Sequence, residues 1–330
     1  MTPVGLALIG TGAWGRATAL AVARAERVRL VTCYSRDEGR RNAFAPEHGC
    51  EAAPSLEAAL DHPGVEAALL VTPNDTHLEQ ALAAAERGLH VLVEKPIADS
   101  VEAGERMRDA FERAGLVLAV GHGMRRLGAA RRVREAIEQG ELGTIVLAEA
   151  NFSLTGALTP AAWRWFRERN LGGPLLQLGV HFADTLAYWL GPIASSEGVF
   201  SHVVTDAEID DVGAVALRFE SGAVGTITGS YVSPKTYTAR LYGTEGVLEY
   251  DTGFSVWPRA HDVDGATTLM VRTADGARPL QFQMRDPLAE QLDELASAVR
   301  GETRFETGPE EALAALRVIL DSLPAEAARV

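Results

Sequence analysis

Lysine is nearly missing from this chain. Of its 31 lysines and arginines, only Lys95 and Lys235 are lysine. A chain that meets almost every need for a cation with arginine has little reason to end the apolar run Val91-Leu92-Val93-Glu94 in Lys95-Pro96. An ammonium can shift its pKa and share a proton, whereas a guanidinium effectively cannot. Lys95 is therefore a candidate catalytic group, set against the plainer reading of a strand-end cation before a proline loop. Cysteine is scarce too: Cys33 and Cys50 are the whole complement. Two cysteines, one inside an apolar run, read as reduced structural thiols rather than a disulfide framework. There is no Lys/Arg-rich tract, and the net charge is −14. Nucleic acid and anionic membrane are thus not expected as partners. No apolar run approaches the roughly 20 residues of a membrane span. The first residues enter an apolar strand with no basic leader, so a cytoplasmic protein is expected.

What the chain does have begins at its N-terminal end. Val4–Ile9 is an apolar run suited to a buried parallel strand. Gly10-Thr11-Gly12-Ala13-Trp14-Gly15 follows, and then Ala-rich helical sequence. Strand, G-x-G-x-x-G and helix in that order form a dinucleotide cradle. The first glycine makes the tight turn, the second admits a pyrophosphate to the backbone, and the third lets helix and strand pack closely. The phosphates then meet the free N–H groups at the helix start.

Apolar runs and helical patterns alternate to about residue 122, with strands at Val28–Tyr34, Ala67–Val71, His90–Val93 and Val117–Val120. This predicts a doubly wound parallel sheet, an α/β domain over 1–122. The remainder, 123–330, predicts an α+β domain with a large, mostly antiparallel sheet. Its strands fall at Ile145–Leu154, Ser195–Val204, Val212–Glu220, Ala223–Val232, Tyr237–Tyr242 and Val247–Tyr250. Helices are predicted from Pro174 to Leu190, Leu288 to Arg300 and Glu310 to Arg329. Two packed domains with a cleft between them are expected.

The Pro174 helix carries Gln177, His181 and Asp184 at spacings of four and three, which places them on one face. A histidine there is a candidate acid/base. No third ligand at recognisable spacing joins His181 and Asp184, so no metal is expected. Past strand two stand Ser35, Arg36 and, a turn later, Arg40. A small polar residue with arginine suits the 2′-phosphate of NADP, which is favoured over NAD; Asp37 could instead face an NAD ribose. Strand four runs into Thr72-Pro73-Asn74, placed for the nicotinamide half of a dinucleotide and equally natural as a helix cap. Met124, Arg125, Trp163, Trp165, Phe166 and Tyr237 are candidates for substrate contact or for domain packing. Arg125 could pair with a carboxylate or phosphate.

Gly10–Gly15, Thr72-Pro73-Asn74, Glu94-Lys95-Pro96, Trp163-Arg164, Gly172-Gly173 and Gly179-x-His181-x-x-Asp184, in this order, resemble the glucose–fructose oxidoreductase, inositol dehydrogenase and rhizopine catabolism (Gfo/Idh/MocA) family. The resemblance implies a Rossmann domain followed by the sheet domain, assembled as a homodimer or homotetramer. It implies NAD(P)-dependent hydride transfer on a carbinol or ketone of a sugar, inositol or related cyclic diol. The family lysine falls on Lys95, which would hydrogen-bond the reacting oxygen. The family histidine falls on His181, which would take and return the hydroxyl proton. Lys–Pro peptides here are often cis in the family. His77, Glu94 and Arg164 join the cofactor-facing set, and Gln177, Asp184, Arg125, Trp163 and Tyr237 the supporting and substrate set. One departure stands out: members carry Asp four residues before the histidine, where this chain has Gln177. Glutamine can orient an imidazole but accepts no proton. Two other readings remain: a glycoside-cleaving relative that oxidises transiently and keeps its NAD, and a dinucleotide-binding sensor without catalysis, which would need neither Lys95 nor His181.

Overall fold

The computed structural model describes residues 2–253 and 262–324. The chain divides into two compact units: the chain up to Gly123 with Asp286–Leu313, and Met124–Arg285 with the chain from Ala314.

In the first unit, β1 (Val4–Ile9), β2 (Val28–Tyr34), β3 (Glu51–Ala52), β4 (Ala67–Leu70), β5 (His90–Val93) and β6 (Leu118–Val120) form one parallel sheet in the order 3-2-1-4-5-6. That order is the dinucleotide-binding arrangement, in which ligands meet the carboxyl ends of the strands at the switch point beside β1. β1 and β4 are buried at every residue, as strands covered on both faces must be. The helices are α1 (Ala13–Val22), α2 (Glu38–His48), α3 (Leu56–Leu60), α4 (His77–Ala85) and α5 (Val101–Ala114). Cys33 and Cys50 are free thiols.

The sequence reading assigned everything after residue 122 to one domain. In the structure, α8 (Pro287–Val299) belongs to the first unit. The reason is tertiary: Asp286 accepts a hydrogen bond from Arg24 at 2.6 Å, and Asp293 accepts from the backbone N–H groups of Glu26 and Arg27 at 2.9 and 2.8 Å. These contacts hold α8 against α1.

The second unit carries α6 (Gly128–Glu138), α7 (Val180–Leu190) and an eight-stranded sheet. Its strands are β7 (Ile145–Ser153), β8 (Ile193–Ser201), β9 (Val212–Phe219), β10 (Val224–Ser230), β11 (Thr236–Gly243), β12 (Gly246–Thr252), β13 (Thr267–Thr273) and β14 (Gly276–Pro279). The order is 14-13-12-11-7-10-9-8, antiparallel throughout except where β10 pairs with β7. Burial alternates along β9, so one face supplies the core and the other stays open. α9 (Pro309–Leu320) ends well before the expected Arg329; residues 325–329 of that expectation lie outside the described residues.

Three elements differ from the sequence reading in ways that matter. The expected single helix from Pro174 is π-helical over Leu175–Gly179 and α-helical only from Val180. The Val180 N–H reaches back five residues to the Leu175 carbonyl. Such π turns are rare and concentrate at functional sites. The strands β13 and β14 were also not anticipated. β14 is exposed along its length and leaves no hydrophobic pattern to read.

Candidate active site

The glycine cradle has the shape that a dinucleotide requires. Gly10 has φ +109°, and a Cβ there would lie 2.5 Å from the Val71 carbonyl oxygen, so only glycine fits beside the end of β4. A Cβ on Gly15 would lie 2.0 Å from the Gly10 carbonyl oxygen, which is the close helix–strand packing. A Cβ on Gly12 would meet nothing within 4 Å, so this is the side open to a pyrophosphate. Helix α1 has no side-chain cap and no acidic residue in its first turn, so neither competes with an anion for its leading N–H groups. These residues fit the phosphates of NAD(P).

Thr11 is buried, and its hydroxyl donates to Ser35 at 2.8 Å; Ser35 in turn donates to the Asp37 carbonyl at 3.2 Å. The Asp37 carboxylate caps α2, accepting the Arg40 N–H at 2.9 Å. Arg36 is exposed and has no ion pair among the described residues. Arg41, which the sequence reading passed over, donates to the Ser35 carbonyl at 3.1 Å.

Past β4, the Thr72 hydroxyl donates to Gln80 at 2.7 Å, and Asn74, buried, opens a 3₁₀ turn. Pro73 holds extended backbone between them. His77, expected in the cofactor-facing set, is engaged within the protein. Its ring is buried, with Nε2 3.0 Å from the Thr72 carbonyl oxygen and Nδ1 3.2 Å from those of Pro96 and Ile97. It ties the end of β4 to the turn after β5. Burial pushes the His77 pKa down, against the pull of the three carbonyls.

That turn holds the cis Lys95–Pro96 peptide. Glu94 and Lys95 are half-buried. The Lys95 backbone N–H faces the Glu94 carboxylate at 3.3 Å. Burial pushes the Glu94 carboxyl up; Lys95 and the indole of Trp14 pull it back. Because β1, β4 and β5 are neighbours, Gly10, Thr72 and Lys95 follow the carboxyl ends of three adjacent strands.

In the second unit, Gln177, His181 and Asp184 are all buried, Gln177 within the π turn and His181 and Asp184 on α7. The His181 ring lies 5.6 Å from that of Phe152. Two expectations about substrate contact are corrected here. Arg125 offers no spare charge: its Nε donates to Asp184 at 2.9 Å, its Nη2 donates to the other carboxylate oxygen, and its guanidinium lies 5.0 Å from the Tyr188 ring centre. Tyr237 is a core residue, stacked on Phe182 at 4.4 Å and set edge-on to Phe152 at 5.0 Å. Burial holds that phenol well above its ordinary range. Met124 is buried as well. Trp163, Trp165 and Phe166 remain partly exposed in a 3₁₀ loop, where the Arg164 guanidinium lies 4.5 Å from the Trp163 ring centre.

A glycine-cradled parallel sheet of this order defines a dinucleotide-binding domain, here followed by a second unit built on a mostly antiparallel sheet. Residues 4–122 match the oxidoreductase family's NAD-binding Rossmann fold, and residues 130–249 match the GFO/IDH/MocA C-terminal domain. The chain belongs to the Gfo/Idh/MocA family. It is 30% identical over 298 residues to the 1,5-anhydro-D-fructose reductase of Ensifer adhaerens, covering 89% of this chain and 87% of that one. It is 29% identical over 316 residues to D-xylose 1-dehydrogenase (NADP(+)) 2 of Haloferax volcanii, covering 94% of both. Among solved structures, a proposed NADPH-dependent oxidoreductase from Desulfitobacterium hafniense superposes with a TM-score of 0.93 at 34% identity, over 97% of this chain and 94% of that one.

Proposed function

We propose that this protein oxidises a carbinol, or reduces the matching ketone, on a sugar, inositol or related cyclic diol, using a nicotinamide dinucleotide. The observation that carries the reading is the row of strand ends: the glycine cradle, Thr72 and Lys95 follow β1, β4 and β5 side by side. Relatives named for 1,5-anhydro-D-fructose and D-xylose support the substrate class.

Gly12 and the first N–H groups of α1 hold the pyrophosphate. Thr72 and Asn74 position the nicotinamide half, which supplies or accepts the hydride when bound. Lys95 donates a hydrogen bond to the reacting oxygen. His181 accepts the hydroxyl proton in oxidation and returns it in reduction. Gln177 orients His181 or holds a substrate hydroxyl; its amide moves no proton. Trp163, Trp165 and Phe166 offer aromatic faces to a sugar ring. NADP is the preferred cofactor. Asp37 is engaged in capping α2, while Arg36 and Arg40 stand exposed at the same place. The protein works in the cytoplasm as a homo-oligomer. A screen of sugars, inositols and cyclic diols against NADPH, NADH and their oxidised forms, followed by nicotinamide absorbance, tests the reading; a dinucleotide that stays bound without net turnover would favour transient oxidation instead.

A further inference from the structure

A small cavity lies in the first unit beside Glu94. It is lined by Thr18 and Ala21 of α1, Leu69 of β4 and Val71 just after it, Glu94 just after β5, and Gln291 with its neighbours on α8. Its volume, about 10 Å³, matches the room one water needs. Gln291 is 3% exposed, and its Oε1 has no hydrogen-bond partner among the described residues. A buried acceptor left without a donor costs about 1–3 kcal/mol, so such atoms in native proteins call for an explanation.

We propose that Gln291 is a positioning residue: through one water in this cavity it holds the Glu94 carboxyl that flanks Lys95. The proposal rests on the role given to Lys95 above. The Thr18 hydroxyl already donates to the Trp14 carbonyl at 3.0 Å, so its oxygen is an acceptor toward the cavity. The water then gives one hydrogen to Gln291 Oε1 and one to Thr18 Oγ1. Its lone pair is left for Glu94, and a lone pair is satisfied by a carboxylic acid O–H rather than a carboxylate. The arrangement therefore favours the protonated carboxyl, in the same direction as burial does. Glu94 has Lys95 beside it in the chain, Trp14 of α1 and Gly121 after β6 next to it, and Thr18 and Gln291 across the cavity; of these, only Lys95 is charged. An ionised Glu94 would hold the proton on Lys95 to higher pH.

Carboxyl ¹³C NMR on the full, dinucleotide-free chain tests this, with the Glu94 resonance assigned by Glu94→Gln. In Gln291→Met and Gln291→Leu the Glu94 titration should move down by about 0.5–1 pH unit, the scale of one lost hydrogen bond. The alkaline limb of turnover should move up, while dinucleotide affinity stays within about two-fold, a split that loosened packing would not produce. Should Gln291→Leu fail to fold, Gln291→Met decides, because methionine keeps the length of the side chain. A Glu94 titration unchanged in a folded variant overturns the proposal. If Glu94 shifts but Lys95→Met turns over normally, the role given to Lys95 fails and the link from Gln291 to Glu94 stands.

Discussion

Asp184 receives two hydrogen bonds from the Arg125 guanidinium, and both residues are buried, 59 positions apart in the chain. Asp184 sits one helical turn beyond His181, so this grip holds the face of α7 that presents the histidine. Arg125→Met removes the ion-pair partner of a buried carboxylate and should cost about 3–5 kcal/mol in denaturant unfolding. Arg125→Met combined with Asp184→Leu should recover most of that loss, since neither charge remains. Independent, additive costs in the double variant would show that the pair is not coupled.

The His77 ring lies between carbonyl oxygens on both sides, at 3.0 and 3.2 Å. Its pKa is lowered in the folded state, first by burial. The ring therefore contributes stability above its unfolded value of about 6.5, and that contribution is lost as pH falls through the folded pKa. His77→Gln should be less stable than the parent at pH 8, by about 1–3 kcal/mol for the disturbed carbonyls. It should also lose less stability between pH 7 and 5. His48 and His90 are lowered by burial too and contribute in the same direction. Parallel pH curves for parent and variant would remove His77 from this balance.

Arg36 and Arg40 stand exposed past β2 while the Asp37 carboxylate caps α2. Arg36→Ala should weaken NADPH about 10–100-fold, the scale of a lost hydrogen bond between charged groups, and leave NADH nearly unchanged. Isothermal titration with both dinucleotides reads this directly. A parent protein that prefers NADH would return the ribose to Asp37.

The parts of the molecule legible in sequence are those governed by local rules. β1 reads as a strand because both its faces are covered, and Gly10–Gly15 reads as a cradle because each glycine has a local steric reason. The cis peptide at Lys95–Pro96 accords with the family resemblance. What was not legible depends on partners far away in the chain. Nothing local tells that α8 returns to α1, because the link is Arg24 with Asp286. Arg125 looks like a free anion receptor until Asp184 arrives from α7. Tyr237 has the same alternating pattern whether its face meets a ligand or the core; the rings of Phe152 and Phe182 decide it. The π turn around Gln177 has no compositional signature, and Gln291 reads as one more residue on an amphipathic helix.

The central claim is that Lys95 and His181 carry proton and hydrogen-bond chemistry for hydride transfer on a carbinol. The most direct measurement is steady-state turnover of Lys95→Met and His181→Ala by nicotinamide absorbance, beside equilibrium dinucleotide binding, on the best sugar or polyol of the screen. Each variant should lose about 10²–10⁴-fold in kcat, the usual contribution of a positioned acid or base, while dinucleotide binding persists. Turnover within a few-fold of the parent in either variant would contradict the account.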